Sequence, residues 1–306
     1  MGARQGSQIT ERDREALGLL AEHRVMVLPQ VAAGLGVANS TAATRLRRLH
    51  DLRLIGHEAI FREQPAAAWI TRRGLNAIGS RLPPPSIDLK GYRHDIGVGW
   101  MWLAARRGAF GSVATLVSER EMRSHDLRSE RTAEPYGVAL GGLDSHGRMT
   151  RHYPDLLLTT ADGARLAFEL ELTAKSTRRL DTIMRGYAGD GRIDSALYFV
   201  PTASLQRLIT AAVTRAGIPD LVRIERMASP MINGAPDPGG RTTSYERTVS
   251  GERTVSGERT VSGERTVAGG RTLAGGRTLA DGRTRAGGRT AAPGRTLAGE
   301  RGELER

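Results

Sequence analysis

From Thr10 to Leu49 the apolar residues recur at helical spacing, and glycine breaks the pattern in one place. Thr10 is positioned to cap a helix carrying Ala16, Leu17, Leu19 and Leu20, with Asp13 at the favourable third position of a capping box. A second short helix fits Pro29 to Ala33, because proline is tolerated in a first turn. Gly34-Leu35-Gly36-Val37 then supplies a tight bend, and Asn39 or Ser40 caps a third helix. In that helix Ala42, Leu46 and Leu49 share one face by spacings of four and three, while Thr41, Thr44, Arg45 and Arg48 fall on the other.

Two strand-like runs follow, residues 54–61 and 67–70, around a turn at Glu63-Gln64-Pro65-Ala66. Thr71 caps a short helix through Ile78, and Pro83-Pro84-Pro85 reads as a stiff extended linker. Helix, glycine bend, basic helix and hairpin are the order of a winged helix-turn-helix over 8–80, with a Pro-rich linker at 81–90. DNA binding follows from it. Arg45, Arg48, Arg47 and Arg53 would neutralise phosphates or reach guanine edges in the major groove, beside Thr41 and Thr44, with Arg62 of the wing on the flanking backbone. A helical protein-interaction module with a solvated basic face is the plainer alternative.

From residue 91 the pattern changes. Tyr92 to Ala105 is apolar on several sides and predicts a largely buried helix despite Gly97 and Gly99. Its His94-Asp95 pair fits a helix start, or an orienting or ligating pair. Residues 112–118 predict a strand delivering Glu119 and Glu121 at its far end. Residues 153–172 predict a β-hairpin about Asp162-Gly163, in which Leu166, Phe168, Leu170 and Leu172 alternate with Ala167, Glu169 and Glu171.

Folding back at that turn pairs positions whose numbers sum to about 325, so Asp155 comes level with Glu169 and Glu171. Its side chain reaches the glutamate face only if the loop has an odd number of residues or Pro154 introduces a bulge. Three carboxylates on one face repel unless a cation lies between them, and such hard oxygen ligands suit magnesium or manganese. A metal there would hold a phosphate oxygen and activate a water for in-line attack, with Lys175 stabilising the developing charge. The competing reading of alternating glutamates on a strand is a solvated face.

Composition narrows the chemistry. The chain has 306 residues and no cysteine, which excludes disulfides, thiolate zinc sites and cysteine nucleophiles. The remaining histidines show no metal-ligand spacing, and no Gly-x-x-x-x-Gly-Lys-Ser/Thr run signals an ATP-driven motor. No apolar run approaches the ~18 residues a membrane span needs, and the start lacks a signal-peptide segment, so a soluble cytoplasmic protein is expected. The net charge of +12 is concentrated at the ends. Residues 1–90 hold 13 basic and 8 acidic groups, 91–240 hold 19 and 17, and 241–306 hold 13 and 8. An anionic partner would thus meet the ends. Arginine recurs every six residues from Arg241 to Arg301, in units such as Arg253-Thr254-Val255-Ser256-Gly257-Glu258 with at most one aliphatic side chain. No core can be built from that, so 236–306 is expected to be disordered.

Pro154-Asp155 followed by Glu169-Leu170-Glu171 resembles the Pro-Asp … Glu-x-Lys motif of the restriction-endonuclease-like superfamily, with glutamate where lysine is usual. Residues 176–187, 196–200, 204–216 and 221–227 fit the helix, strand, helix and strand that would follow. The whole layout, with Tyr92-Arg93-His94-Asp95-Ile96 and Ser118-Glu119-Arg120-Glu121, resembles over residues 8–228 the replication-relaxation family of plasmids and integrative elements. That resemblance implies an α/β (α+β) protein: the winged helix, an αβββαβ restriction-endonuclease-like domain at 91–235, and the tail. It implies double-stranded plasmid DNA as partner, a second copy of the chain as a further candidate partner, and no membrane. Two functions stay open. One is a magnesium-dependent nuclease or nickase, in which Asp155, Glu169 and Glu171 hold the metal, Glu119 or Glu121 assists and Lys175 polarises the phosphate. The other is a non-catalytic DNA-binding accessory or regulator.

Overall fold

The computed structural model describes residues 9–62, 64–128 and 134–227, and the expected disordered tail lies outside them. The first helix, α1 (Glu11–Glu22), starts at the predicted capping box: Thr10 Oγ1 accepts from the Asp13 amide, and Asp13 accepts from the Thr10 amide. A short strand β1 (Met26–Val27) leads into α2 (Leu28–Leu35), which runs beyond the expected end and stops at Gly36 with φ 65°. Only glycine enters that left-handed region without strain. The third helix, α3 (Asn39–Asp51), begins one residue early. Ala38 is its N-cap and makes no side-chain capping bond, so Asn39 and Ser40 lie inside the first turn rather than capping it. The bend at Gly36 is closed by the Val37 amide on the Ala32 carbonyl.

The wing is shorter than predicted: β2 (Ile55–Glu58) pairs antiparallel with β3 (Ala67–Ile70), Ile55 opposite Ile70. On its other edge β3 takes up β1, with Met26 opposite Ala68, a long-range pairing that no local pattern announces. Thr71 caps α4 (Arg72–Ala77) through the Gly74 amide. Helices α1 to α3 with this three-stranded sheet form a winged helix-turn-helix.

The second region opens with α5 (Tyr92–Arg106), β4 (Val113–Ser118) and an unexpected helix α6 (Glu119–Arg128). A two-stranded ribbon, β5 (Val138–Leu143) with β6 (Met149–His152), precedes β7 (Leu156–Thr160) and β8 (Arg165–Leu170). Then come α7 (Thr177–Gly189), β9 (Ser195–Val200), α8 (Ala203–Ala216) and β10 (Val222–Arg226). The sheet order is β10-β9-β8-β7-β4; the β4–β7 and β7–β8 pairs are antiparallel, whereas the β8–β9 and β9–β10 pairs are parallel.

The two regions share a core. Leu17, Leu20, Leu46 and Leu49 of the winged helix join Trp102 and Leu103 of α5, and Leu156, Phe168 and Leu170 of the sheet, in one apolar cluster. Helix α5 is the wedge between them, and its glycines make this possible. A Cβ on Gly97 would lie 2.4 Å from Leu170 Cδ2, and one on Gly99 2.7 Å from Gln30 Nε2. The buried Gln30 amide donates to the Ile96 carbonyl at 2.6 Å, tying α2 to the middle of α5. Arg120 adds a polar clasp. Its buried guanidinium donates to the carbonyls of Ala21 (2.5 Å), His23 (2.7 Å) and Pro83 (2.6 Å), which fastens the Pro-rich segment against α1 instead of leaving it a free linker.

Candidate functional site

Two clusters contain the residues expected to act. The first is the outer face of α3. Ala42, Leu46 and Leu49 are fully buried, which turns Thr41, Thr44 and Arg47 to solvent. Arg53 and Arg62 are exposed at either side of the hairpin, Arg53 directly after α3 and Arg62 at the wing turn.

Arg45 and Arg48 are placed differently. Both guanidiniums reach Asp13 of α1, whose side chain is wholly buried; Arg45 Nη1 lies 2.6 Å from Asp13 Oδ1, and Arg48 bonds Oδ2. Burial pushes the Asp13 carboxyl up, but the Thr10 amide and hydroxyl, Arg48 and Arg45 outweigh it and hold the group below the usual carboxylate range. Asp13 thus caps α1 and anchors α3 at once. The sequence pattern identifies the cap; the anchoring depends on the crossing of two helices.

Arg53 has φ 59°, the one non-glycine residue with positive φ among the described residues. It occupies the left-handed position of a Schellman ending, with its amide on the His50 carbonyl and the Leu54 amide on the Leu49 carbonyl.

The second cluster lies on β7 and β8. The hairpin register is Leu156 opposite Phe168 and Thr159 opposite Arg165, and Thr160 N donates to Ala164 O, leaving a three-residue loop of Ala161, Asp162 and Gly163. Paired positions sum to 324, one less than the expected sum. The loop is odd, as the sequence reading required; the regular pairing ends at Leu156 opposite Phe168, beyond which the Asp155 amide donates to the Phe168 carbonyl.

The three carboxylates lie near enough to influence one another, and each has its own partner. Asp155 Oδ2 accepts the Leu170 amide at 2.7 Å and faces His94 Nε2 of α5 at 3.2 Å. Glu169 Oε1 meets His152 Nε2 at 2.5 Å and accepts the Tyr187 hydroxyl. Glu171 Oε2 pairs with Lys175 Nζ. Glu169 and Glu171 are both only 4% exposed, so the solvated-face alternative does not describe them.

The electrostatics follow from these contacts. Burial opposes charge on His94, but Asp155 and Asp95 overcome it and raise its pKa to about 10. Burial raises Asp155, yet His94, the Leu170 amide and Lys175 lower it overall. Glu171 is raised by burial; Lys175 opposes this, and Glu169 and Asp155 reinforce it. Tyr187 is pushed far up by burial and by Glu169.

Glu119 and Glu121 do not join this group. Glu119 is held by Arg24 at 2.7 Å and Arg123 at 2.8 Å, and Glu121 is exposed on the first turn of α6. Strand β4 delivers both to α6, whose helical turn sends them apart. Among the described residues no three His, Asp or Glu side chains are arranged to hold a metal ion. The oxygens of Asp155, Glu169 and Glu171 point to separate partners, so the arrangement does not fit the expected magnesium.

His94, His152 and Tyr187 carry this site as much as the acids do. His94 stood out with Asp95 as a helix-start, orienting or ligating pair, but its pairing with Asp155 did not; His152 and Tyr187 had no local signal, because β6 and α7 bring them in from elsewhere in the chain.

No protein-family model and no curated protein matches the chain. Among solved structures it is similar to RV1404 from Mycobacterium tuberculosis, with 25% identity over 24% of this chain and 52% of that one, at a TM-score of 0.23. It is also similar to ZitR of Lactococcus lactis, a zinc-responsive MarR family member, with 17% identity over 26% of this chain and 56% of that one, at a TM-score of 0.22. A ZitR structure in complex with DNA matches to the same extent, with 17% identity and a TM-score of 0.22. The chain spans about half the length of these structures. Among the described residues no helix is long and apolar enough to cross a membrane.

Proposed function

We propose that the chain binds double-stranded DNA through its winged helix, with α3 in the major groove and the wing on the adjoining backbone, and that its second region serves this binding as a non-catalytic accessory or regulator. The observation that carries the reading is the exposed face of α3. Thr41, Thr44 and Arg47 point outward from a fully buried apolar stripe, flanked by Arg53 and Arg62. Hydroxyls and arginines in this position can reach base edges and phosphates. Arg45 and Arg48 serve the architecture through Asp13 and add to the positive field. Plasmid DNA is the substrate suggested by the family resemblance, and a second copy of the chain would supply the second half-site.

A gel shift on supercoiled plasmid and on short duplexes tests this. Arg47→Ala and Thr44→Ala should weaken binding while the protein stays folded. Unchanged binding by both variants, and by Arg53→Ala and Arg62→Ala, would move the DNA contact off this face.

One observation favours the magnesium-dependent nuclease or nickase: the antiparallel pair of β7 and β8 brings Asp155, Glu169 and Glu171 near enough to influence one another, with Lys175 beyond the strand end. In that reading Asp155, Glu169 and Glu171 would be drawn onto a metal and away from their present partners. Incubating supercoiled plasmid with wild type and Glu169→Ala, with and without magnesium, separates the two. Metal-dependent nicking lost in the variant supports the enzyme; equal inactivity with intact binding supports the accessory.

A further inference from the structure

We infer that Lys175 and His94 stand in for a divalent cation at the carboxylate face, so that the folded chain takes up neither magnesium nor manganese there. Glu169 and Glu171 share one side of β8 and Asp155 lies near enough to act on them, so mutual repulsion and burial demand compensation. The fold answers with side chains from four other places. Helix α5 brings His94 Nε2 to within 3.2 Å of Asp155 Oδ2, the segment after β8 brings Lys175 Nζ onto Glu171 Oε2, and β6 and α7 bring His152 and Tyr187 onto Glu169 Oε1. A fifth partner, the Leu170 amide, also takes Asp155 Oδ2 at 2.7 Å.

Magnesium demands near-octahedral oxygens at ~2.0–2.1 Å and gives up water reluctantly. Here it would have to displace an ammonium or an imidazole already seated on the same oxygens. The lysine is specific to this arrangement. It is one of only two in the chain, the other being Lys90, and it reaches back four residues to the one acid of the three that no histidine touches. Removing it leaves Glu171 uncompensated beside Asp155 and Glu169, and the vacated position is one that a small hard cation can take.

The test contains no DNA, so it succeeds or fails independently of the proposed DNA binding. Thermal unfolding of the full chain is followed in EDTA, in about 5 mM magnesium and in about 1 mM manganese. The wild-type midpoint should stay within about 1 °C across the three. Lys175→Gln should gain a saturable rise of ~4 °C or more in manganese, which Asp155→Asn in the same background removes. His94→Gln is read in the same way and covers the case in which Lys175→Gln unfolds; a variant recovered as folded only with manganese counts as a gain. The inference is overturned by a saturable rise in the wild type that Asp155→Asn abolishes. It is equally overturned if no divalent ion stabilises either Lys175→Gln or His94→Gln.

Discussion

Asp13→Asn should destabilise the protein and yet steepen the salt dependence of its DNA binding. The wild-type carboxylate is wholly buried and accepts the Thr10 amide and the Arg45 and Arg48 guanidiniums. Asparagine has one side-chain oxygen; kept on the Thr10 amide and Arg48, it turns an NH2 toward the Arg45 guanidinium, so one charge-assisted bond of ~1.5–3 kcal/mol is lost and the other is weakened. The side chains of Arg45 and Arg48 are 23% and 38% exposed, so water recovers part of the loss. A net cost of about 2 kcal/mol follows, or ~4–8 °C in the unfolding midpoint for a body of this size. Asp13→Ala should cost about 1 kcal/mol more, because the cap goes too. The released Arg45 becomes available to phosphates, and an added phosphate contact contributes ~0.9 to the slope of log Kobs against log salt. The slope should therefore steepen by up to ~0.9, measured by fluorescence anisotropy on one duplex over a salt series. A destabilised variant with an unchanged or shallower slope would refute the claim that Asp13 holds Arg45 back from DNA.

Arg53→Gly should stabilise the fold by about 1 kcal/mol, because φ 59° strains any residue with a Cβ, while lowering DNA affinity and flattening the salt slope by ~0.9; denaturation and anisotropy on the same preparation read both. Gly18→Ala and Gly99→Ala should have opposite signs. The first adds a methyl in open space within α1 and gains ~0.5–1 kcal/mol, whereas the second drives a Cβ onto Gln30 Nε2 and loses ~1–3 kcal/mol by urea unfolding. Stability should also fall with alkaline pH through His94. Its folded pKa is raised from 6.5 to about 10, so its contribution is complete below pH 6.5 and is lost as pH rises toward 10. His94→Gln should flatten that limb of the stability curve, and equal slopes in the two proteins would contradict the His94–Asp155 pairing.

What could be seen in the sequence was whatever the chain decides locally. The Thr10 and Asp13 box, the α3 stripe of Ala42, Leu46 and Leu49, and the alternation through Phe168 and Glu169 each depend on neighbours within a few residues, and the structure has each of them. The odd hairpin loop was legible as one of two alternatives, because a strand's side-chain period of two leaves only two answers. Pairings over long separations were not legible. Strand β1 finds β3 across some forty residues, and Arg120 clasps carbonyls of α1 about a hundred residues earlier. Gly97 and Gly99, which weaken a helix taken alone, are where α5 lets Leu170 and Gln30 come close.

The same division explains why the charged residues were the hardest to assign. Periodicity places Arg45 and Arg48 on the outer side of α3, and Glu169 and Glu171 on one side of β8. Whether such a charge is available to a ligand depends on what another element presents to it. Asp13 engages the two arginines, and His152, Tyr187 and Lys175 engage the two glutamates. Buried or half-buried charges must be neutralised by some partner, and an internal partner already held in place costs no association entropy, whereas a cation or a phosphate from solution does. A face that reads as ligand-seeking along the chain can therefore be satisfied within the fold. Arg47, Arg53 and Arg62, exposed outside both networks, are then the side chains on which DNA recognition falls.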